Sequence, residues 1–159
     1  MLSGQNFDQL NDMLKAQHRL DSAIYEEHDC DYNLEKSRLA LIDEFGEMNH
    51  ENKARWCWWK YTQAPVDREK LLEELVDAWH FAMSIENHEN QKTIWCQADI
   101  QKYMSMHLSI LICWAVLKVE NIMPIMYCIT KKLGFTFDDV YRVYFKKNEE
   151  NFRRLESGY

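Results

Sequence analysis

Proline and glycine are scarce in this chain of 159 residues, which has 2 and 4 of them. Gly and Pro supply the tight turns between short strands, so a turn-rich all-β fold is excluded. Cysteine is equally unorganised. Cys30, Cys57, Cys96, Cys113 and Cys128 contain no CxxC pair, and their number is odd. That argues against a disulfide framework or a zinc ribbon and makes a reducing cytosol the default compartment. Long apolar runs are missing too. The longest, Met106 to Val119, falls short of the about 20 residues of a membrane span and contains His107 and Ser109. It reads as a helix buried in a core or in a subunit interface. The opening residues, MLSGQNFDQLND, have no basic stretch followed by an apolar one, so no signal peptide is expected. Positive charge is in deficit, with 19 Lys and Arg against 26 Asp and Glu and a net charge of −7. Neither duplex nucleic acid nor a membrane is an expected partner.

What is abundant is apolar. Hydrophobic residues make up 47% and aromatics 13% of the chain, which rules against disorder. The length suits one domain spanning residues 1–159. Helical periodicity dominates. Phe7, Leu10, Leu14, Leu20 and Ile24 stripe a first helix, and the polar connection Glu26 to Asn33 follows it. Leu34, Leu41, Ile42, Phe45 and Met48 stripe a second. Asp67 is a candidate N-cap for a third helix carrying Leu71, Leu72, Leu75, Val76 and Trp79, which ends in the polar stretch Glu86 to Lys92. A long fourth helix is expected from about Ile94 to Val119. A fifth involves Pro124 and ends at Gly134. Thr136 or Asp138 starts a sixth, which runs through Tyr141, Tyr144 and Phe145 to a basic end. No segment alternates as a strand would, so the fold class is all-α, a bundle of about six helices.

Two acidic pairs stand out within these helices. Glu44 and Glu47 lie i, i+3 on the second, and Glu74 and Asp77 lie i, i+3 on the third. That spacing puts both carboxylates of a pair on one helix face, beside an apolar stripe. A single such pair is most often a solvated surface. Two pairs on packed helices converge four carboxylates at the edge of a core, where their charge is costly without a cation. Oxygen-only ligands suit a hard cation such as Mg²⁺. Neighbouring Asp43 and Glu73 point elsewhere and read as surface charge.

Three further segments carry candidate chemistry. Trp56-Cys57-Trp58-Trp59-Lys60 places three tryptophans in a connection. They form either a plug folded onto the core or a flat wall for a base, with Lys60 reaching a phosphate. Lys147, Asn151 and Arg154 share one face of the last helix, suited to phosphate oxygens or simply to offsetting a helix dipole. Gln17 and Asp21 form an i, i+4 polar pair on the first helix, unremarkable if exposed. His80, beside Trp79, reads as packing rather than as a ligand.

Taken in order, these motifs resemble those of the dimeric all-α dUTPases, relatives of the MazG-type nucleoside triphosphate pyrophosphatases. The resemblance covers most of the chain. Met13 to Asp21 is similar to the family's first motif, Glu44-Phe45-Gly46-Glu47 to its ExxE, and Trp59-Lys60 to the Trp-Lys that follows. Glu74-Leu75-Val76-Asp77 is similar to its ExxD, and Lys147-Asn148-x-x-Asn151-x-x-Arg154 through Gly158-Tyr159 to its closing motif, with Leu155 where Gln is usual. Long insertions are lacking, as in compact phage or bacterial members.

The resemblance implies Mg²⁺-dependent hydrolysis of dUTP to dUMP and pyrophosphate, serving nucleotide-pool sanitation and dTMP supply. It implies two or three Mg²⁺ ions on Glu44, Glu47, Glu74 and Asp77, with Glu47 or Glu44 accepting a proton from the attacking water. Phosphate contacts fall to Lys60, Lys147 and Arg154, and nucleoside contacts to Gln17, Asp21, Trp59, Asn148 and Asn151. A cytoplasmic homodimer is implied as well. The rival readings are a broader pyrophosphatase acting on dCTP or modified nucleotides, and a regulatory module that binds a protein partner, such as a repressor, through the same site.

Overall fold

The third helix organises the rest of the molecule. In the computed structural model, which describes residues 3–89, 97–118, 120 and 122–158, seven α-helices follow one another. They are α1 (Gly4–Glu27), α2 (Leu34–Glu51), α3 (Arg68–Glu89), α4 (Gln97–Met104), α5 (Leu108–Leu117), α6 (Ile122–Lys132) and α7 (Phe137–Glu156). A single 3-10 turn, Lys53–Arg55, follows α2. There is no strand among the described residues, and the fold is all-α. Helix α3 packs on α1, α2, α6 and α7. It can do so because it is apolar on more than one face: Leu71, Leu72, Leu75, Val76, Ala78, Trp79, Ala82, Met83 and Ile85 are all buried. One continuous core takes residues from all seven helices.

Helix ends follow the chemistry of their caps. The Asp67 carboxylate accepts from the backbone N–H of Glu69 (3.0 Å) and of Lys70 (3.2 Å), opening α3 as its sequence predicts. Thr136, rather than Asp138, starts α7, in a reciprocal capping box with Asp139. Gly134 follows α6 with φ +81°, a left-handed position that costs a residue with a Cβ. Arg68 secures that end: its guanidinium donates to the carbonyls of Leu133 (2.8 Å) and Gly134 (3.0 Å) and lies 4.0 Å from the Phe135 ring centroid. Trp79 crosses the core to α6, its Nε1–H donating to Thr130 Oγ1 at 3.0 Å.

The expected six helices become seven because the long fourth helix is broken. The described part of Ile94 to Val119 divides into α4 and α5 at Ser105-Met106-His107; Ile94 and Val119 themselves lie outside the described residues. Ser105 Oγ turns back to the Lys102 carbonyl (2.7 Å), and His107 is extended at φ −68°, ψ 150°. The break lets α4 pack on α6 while α5 reaches both α6 and α2. Pro124 sits in the first turn of α6, where its missing N–H costs nothing. Ile42, assigned to the core stripe of α2, is instead 48% exposed. No described helix is long and apolar enough to cross a membrane.

These burials set clear expectations for stability. Leu75 is fully buried in α3, whereas Leu39 on α2 is 60% exposed. Leu75→Ala is expected to cost about 2–5 kcal/mol in urea denaturation, and Leu39→Ala under about 0.5 kcal/mol. Similar losses for the two would contradict the assignment of α3 as the central packing element.

Candidate active site

The seam between α2 and α3 is apolar beneath and acidic at its edge. Leu41, Phe45 and Met48 of α2 and Leu71, Leu72 and Leu75 of α3 are buried in the common core. Packing these two stripes carries the i, i+3 acids to one margin. Ligand oxygens of Glu44, Glu74 and Asp77 come within 4.8 Å of one another. Glu47 stands outside this triad. It is exposed and interacts with the Glu74 carboxyl. Asp43 and Glu73 are exposed.

Crowding changes the acids. Burial, and then the charges of Asp77, Glu47 and Glu74, push the Glu44 carboxyl up to about 7. Burial and Asp77 raise Glu74. Burial also raises Asp77, against the opposing pull of Lys147. Lys147 of α7 reaches across to form an ion pair and hydrogen bond with Asp77 Oδ2. The cage therefore already attracts a cation, the protein's own ammonium. Oxygen-only donors in a crowded acidic cluster fit a hard divalent ion.

The rest of the closing motif extends away from that ion pair along α7. Asn148 is buried and donates to Tyr144 Oη at 3.3 Å. Asn151 is half-buried. Arg154 is exposed, bonds Glu150 Oε1 at 2.6 Å and contributes favourable charge toward Asp77. Tyr159 lies outside the described residues.

Behind the cage lies a buried polar network that sequence patterning does not reveal. Gln17 and Asp21 are only 3% and 5% exposed, not a surface pair. Gln17 Nε2 donates to Asp21 Oδ1 (2.7 Å), and Ser84 Oγ donates to Asp21 Oδ2 (2.5 Å). Gln17 Oε1 faces His80 Nδ1 at 2.7 Å and accepts from Tyr144 Oη at 3.1 Å. An amide oxygen only accepts, so His80 carries its proton on Nδ1. The other ring nitrogen, Nε2, is then a buried acceptor, and it has no hydrogen-bond partner. Burial holds the ring neutral, with its pKa lowered to about 3. The His80 ring also lies over Tyr144, with centroids 4.4 Å apart.

His80 is thus part of a polar site, not a packing residue alone. The available clue was its spacing: Asp77, His80 and Ser84 follow i, i+3, i+7 on α3, the line that joins the acids to this network.

The tryptophan segment is open rather than folded onto the core. Trp56, Trp58 and Trp59 are 42%, 88% and 56% exposed. Cys57, at 3%, is the residue that plugs the interior. Trp59 stands 5.7 Å from Trp56 and 5.9 Å from Trp58, ring to ring. Lys60 is exposed and joins no ion pair among the described residues. Neither Trp59 nor Lys60 touches the acidic triad in this arrangement.

Comparison with known proteins agrees with this architecture. No curated protein matches the chain significantly. The sequence profile of a family described as dUTPase matches residues 9–159, nearly the whole chain. Enzymes of that family hydrolyse dUTP and generally require a divalent metal, a requirement that the acidic triad suits. On a match of this extent the chain belongs to the dUTPase family and is a dUTP diphosphatase.

Proposed function

We propose that this enzyme hydrolyses dUTP with Mg²⁺ held at the α2–α3 seam, releasing dUMP and pyrophosphate. The observation that carries the reading is the convergence of Glu44, Glu74 and Asp77 opposite Lys147. Two or three ions per site are expected. Bound there, they supply positive charge against the triphosphate and make a nearby water more acidic. Glu44, Glu74 and Asp77 hold that charge in place. In this reading Glu47 accepts the attacking water's proton, supported by its position beside Glu74 and outside the triad. Lys147, paired with Asp77 in the metal-free protein, would serve phosphate oxygens once metal is bound, with Arg154 about two turns farther along α7 and Lys60 from the tryptophan loop.

The base is read by the network behind the cage. Uracil carries a proton on N3, and cytosine does not. A neutral His80 with a free Nε2 acceptor suits the first and opposes the second. Gln17 hydrogen-bonds His80 and so fixes that tautomer, Asp21 fixes Gln17, and Ser84 fixes Asp21. Gln17 and Asp21 are therefore positioning residues. Asn148 and Asn151 share one face of α7, and exposed Trp59 is the candidate stacking surface.

We further propose a homodimer, with residues 1–159 acting as one domain in a reducing cytoplasm. Helix α5 (LSILICWAVL) is almost wholly apolar, yet only Leu111 and Ala115 are buried in it. A helix apolar all round is normally covered all round. Ile110 (44%) and Leu117 (72%) are exposed, as are Leu39 and Ile42 on the adjoining α2. The cytoplasmic assignment is supported by free thiols at Cys30, Cys57, Cys113 and Cys128.

Three outcomes test this reading. Loss of an outer partner of a metal ligand typically costs about 10–100-fold, so Glu74→Gln should weaken Mg²⁺ binding by at least about that much. Glu47→Gln should instead abolish most turnover while Mg²⁺ affinity, measured by calorimetry, stays near wild type. Equal metal affinities in the two variants would remove the division of labour. For base reading, His80→Phe keeps an aromatic ring over Tyr144 and deletes the acceptor. The ratio of kcat/KM for dUTP over dCTP should fall by about 100-fold or more, and an unchanged ratio would clear His80 of the role.

The pH dependence has a definite sign. Glu44 is protonated below about 7 in the metal-free enzyme, and a metal ligand must be ionised. Mg²⁺ affinity should therefore rise between pH 6 and 8, and binding near pH 7 should release protons, seen as calorimetric heats that vary with the buffer. Affinity flat across that range would refute the crowded cage.

A further inference from the structure

A second cavity opens on the other side of α2 from the carboxylates. It measures about 660 Å³ and lies among the end of α2, the 3-10 turn, α5 and the end of α6. Its wall is apolar, from Leu108, Ile112 and Leu133. Trp56 adds an indole whose Nε1–H donates to the Asn49 carbonyl at 2.8 Å, which fixes the ring's orientation.

Polar side chains interrupt this lining at Asn49, Asn52, Arg55, Ser109 and Lys132. Asn52 is only 4% exposed, and its Oδ1 is buried with no hydrogen-bond partner. Buried acceptors are normally paired, so a site that keeps one unpaired is suited to a donor from outside. Arg55 and Lys132 also line the cavity, and neither joins an ion pair among the described residues. Two unpaired cations beside one cavity stand out in a chain of net charge −7. None of these residues belongs to the dUTP site.

We propose that this cavity is a second nucleotide site, taking a nucleoside monophosphate. The ring N–H of a uracil or thymine base donates to Asn52 Oδ1, the base lies along Trp56 and the aliphatic wall, and the phosphate sits between Arg55 and Lys132. The volume is within the range of small-ligand sites, about 300–1,000 Å³. The reaction's own product, dUMP, has this chemistry, so the site is suited to sensing product.

The test uses the full-length protein with Mg²⁺ and saturating α,β-imido-dUTP to fill the active site. Calorimetric titration with dUMP and, separately, dTMP should then show one further molecule bound per protomer, with Trp fluorescence changing in parallel. The Arg55→Glu/Lys132→Glu double variant should lose at least tenfold in that affinity, with dUTP turnover at low dUMP unchanged. Asn52→Leu should also weaken binding, and its circular dichroism melt reports whether it folds.

Absence of a second binding event in the wild type would overturn the proposal. So would equal binding by the double variant, or inorganic phosphate binding as tightly as dUMP, which would leave no role for the base. If the analogue itself fails to bind, the active-site reading is at fault, and titrating wild type against the double variant still decides this site.

Discussion

Mutual repulsion among carboxylates at one edge of the α2–α3 seam is the constraint around which this side of the protein is arranged. Glu44, Glu74 and Asp77 do not converge because they attract. They converge because Leu41, Phe45 and Met48 must be buried against Leu71, Leu72 and Leu75, and the acids are fixed to the same helices. Hydrophobic burial thus holds like charges together and confers affinity for a cation. A protonated Glu44 relieves part of the strain, and the Lys147 ammonium relieves another part. Both compensations are reversible. Loss of a proton from Glu44, or of the Lys147 contact, would raise the negative charge of the cluster.

That ion pair also joins the acidic cluster to the buried polar network. Lys147 can reach Asp77 only if α7 lies along α3, and α7 packs on both α3 and α1. The same placement brings Tyr144 over His80 and onto Gln17 Oε1. Helix α3 then carries two kinds of chemistry on one line. Asp77 faces the ionic cage, and His80 and Ser84, one and two turns farther on, face the hydrogen-bonded network. In that network each bond dictates the polarity of the next. The acceptor Asp21 orients the Gln17 amide, the amide oxygen demands a proton on His80 Nδ1, and Nε2 is left as an acceptor. The Asp21 acceptor thus sets, through Gln17, the direction in which a neutral His80 ring presents its own acceptor.

Much of this was legible in the sequence wherever local chemistry decides. Asp67, Thr136 and Gly134 mark helix ends because caps need only neighbouring backbone groups. The apolar stripe of α3 and the paired acids follow from period 3.6 alone. Tertiary choices were less accessible. The apolar pattern runs unbroken through Ser105 to His107, so nothing in periodicity separates α4 from α5; the break answers to where α6 and α2 lie. Gln17 and Asp21 read as a surface pair because their burial depends on partners from α3 and α7, about 60 and 130 residues along the chain. His80 read as packing for the same reason. For the tryptophans, sequence alone left plug and exposed wall open. Large apolar side chains suggest a plug, but it is the small Cys57 that fits inside while the indoles remain outside.

Helix α2 shows why these two kinds of information must be kept apart. One flank carries Glu44 and Glu47 toward α3, another carries Leu39 and Ile42 to the surface, and only Leu41, Phe45 and Met48 are fully buried in it. A helix recruited on three sides has no single apolar stripe, so its pattern is ambiguous even though each flank is specific. Exposed Leu39 and Ile42 contribute nothing to the core they resemble. Near them, Arg38 bonds the Leu117 carbonyl at the end of α5 (3.3 Å), which ties the two exposed apolar surfaces to one region of the molecule. The acidic residues and the exposed apolar residues thus occupy different flanks of the same helix. A rotation of α2 about its axis would disturb both together, and the burial of Phe45 and Met48 is what prevents that rotation.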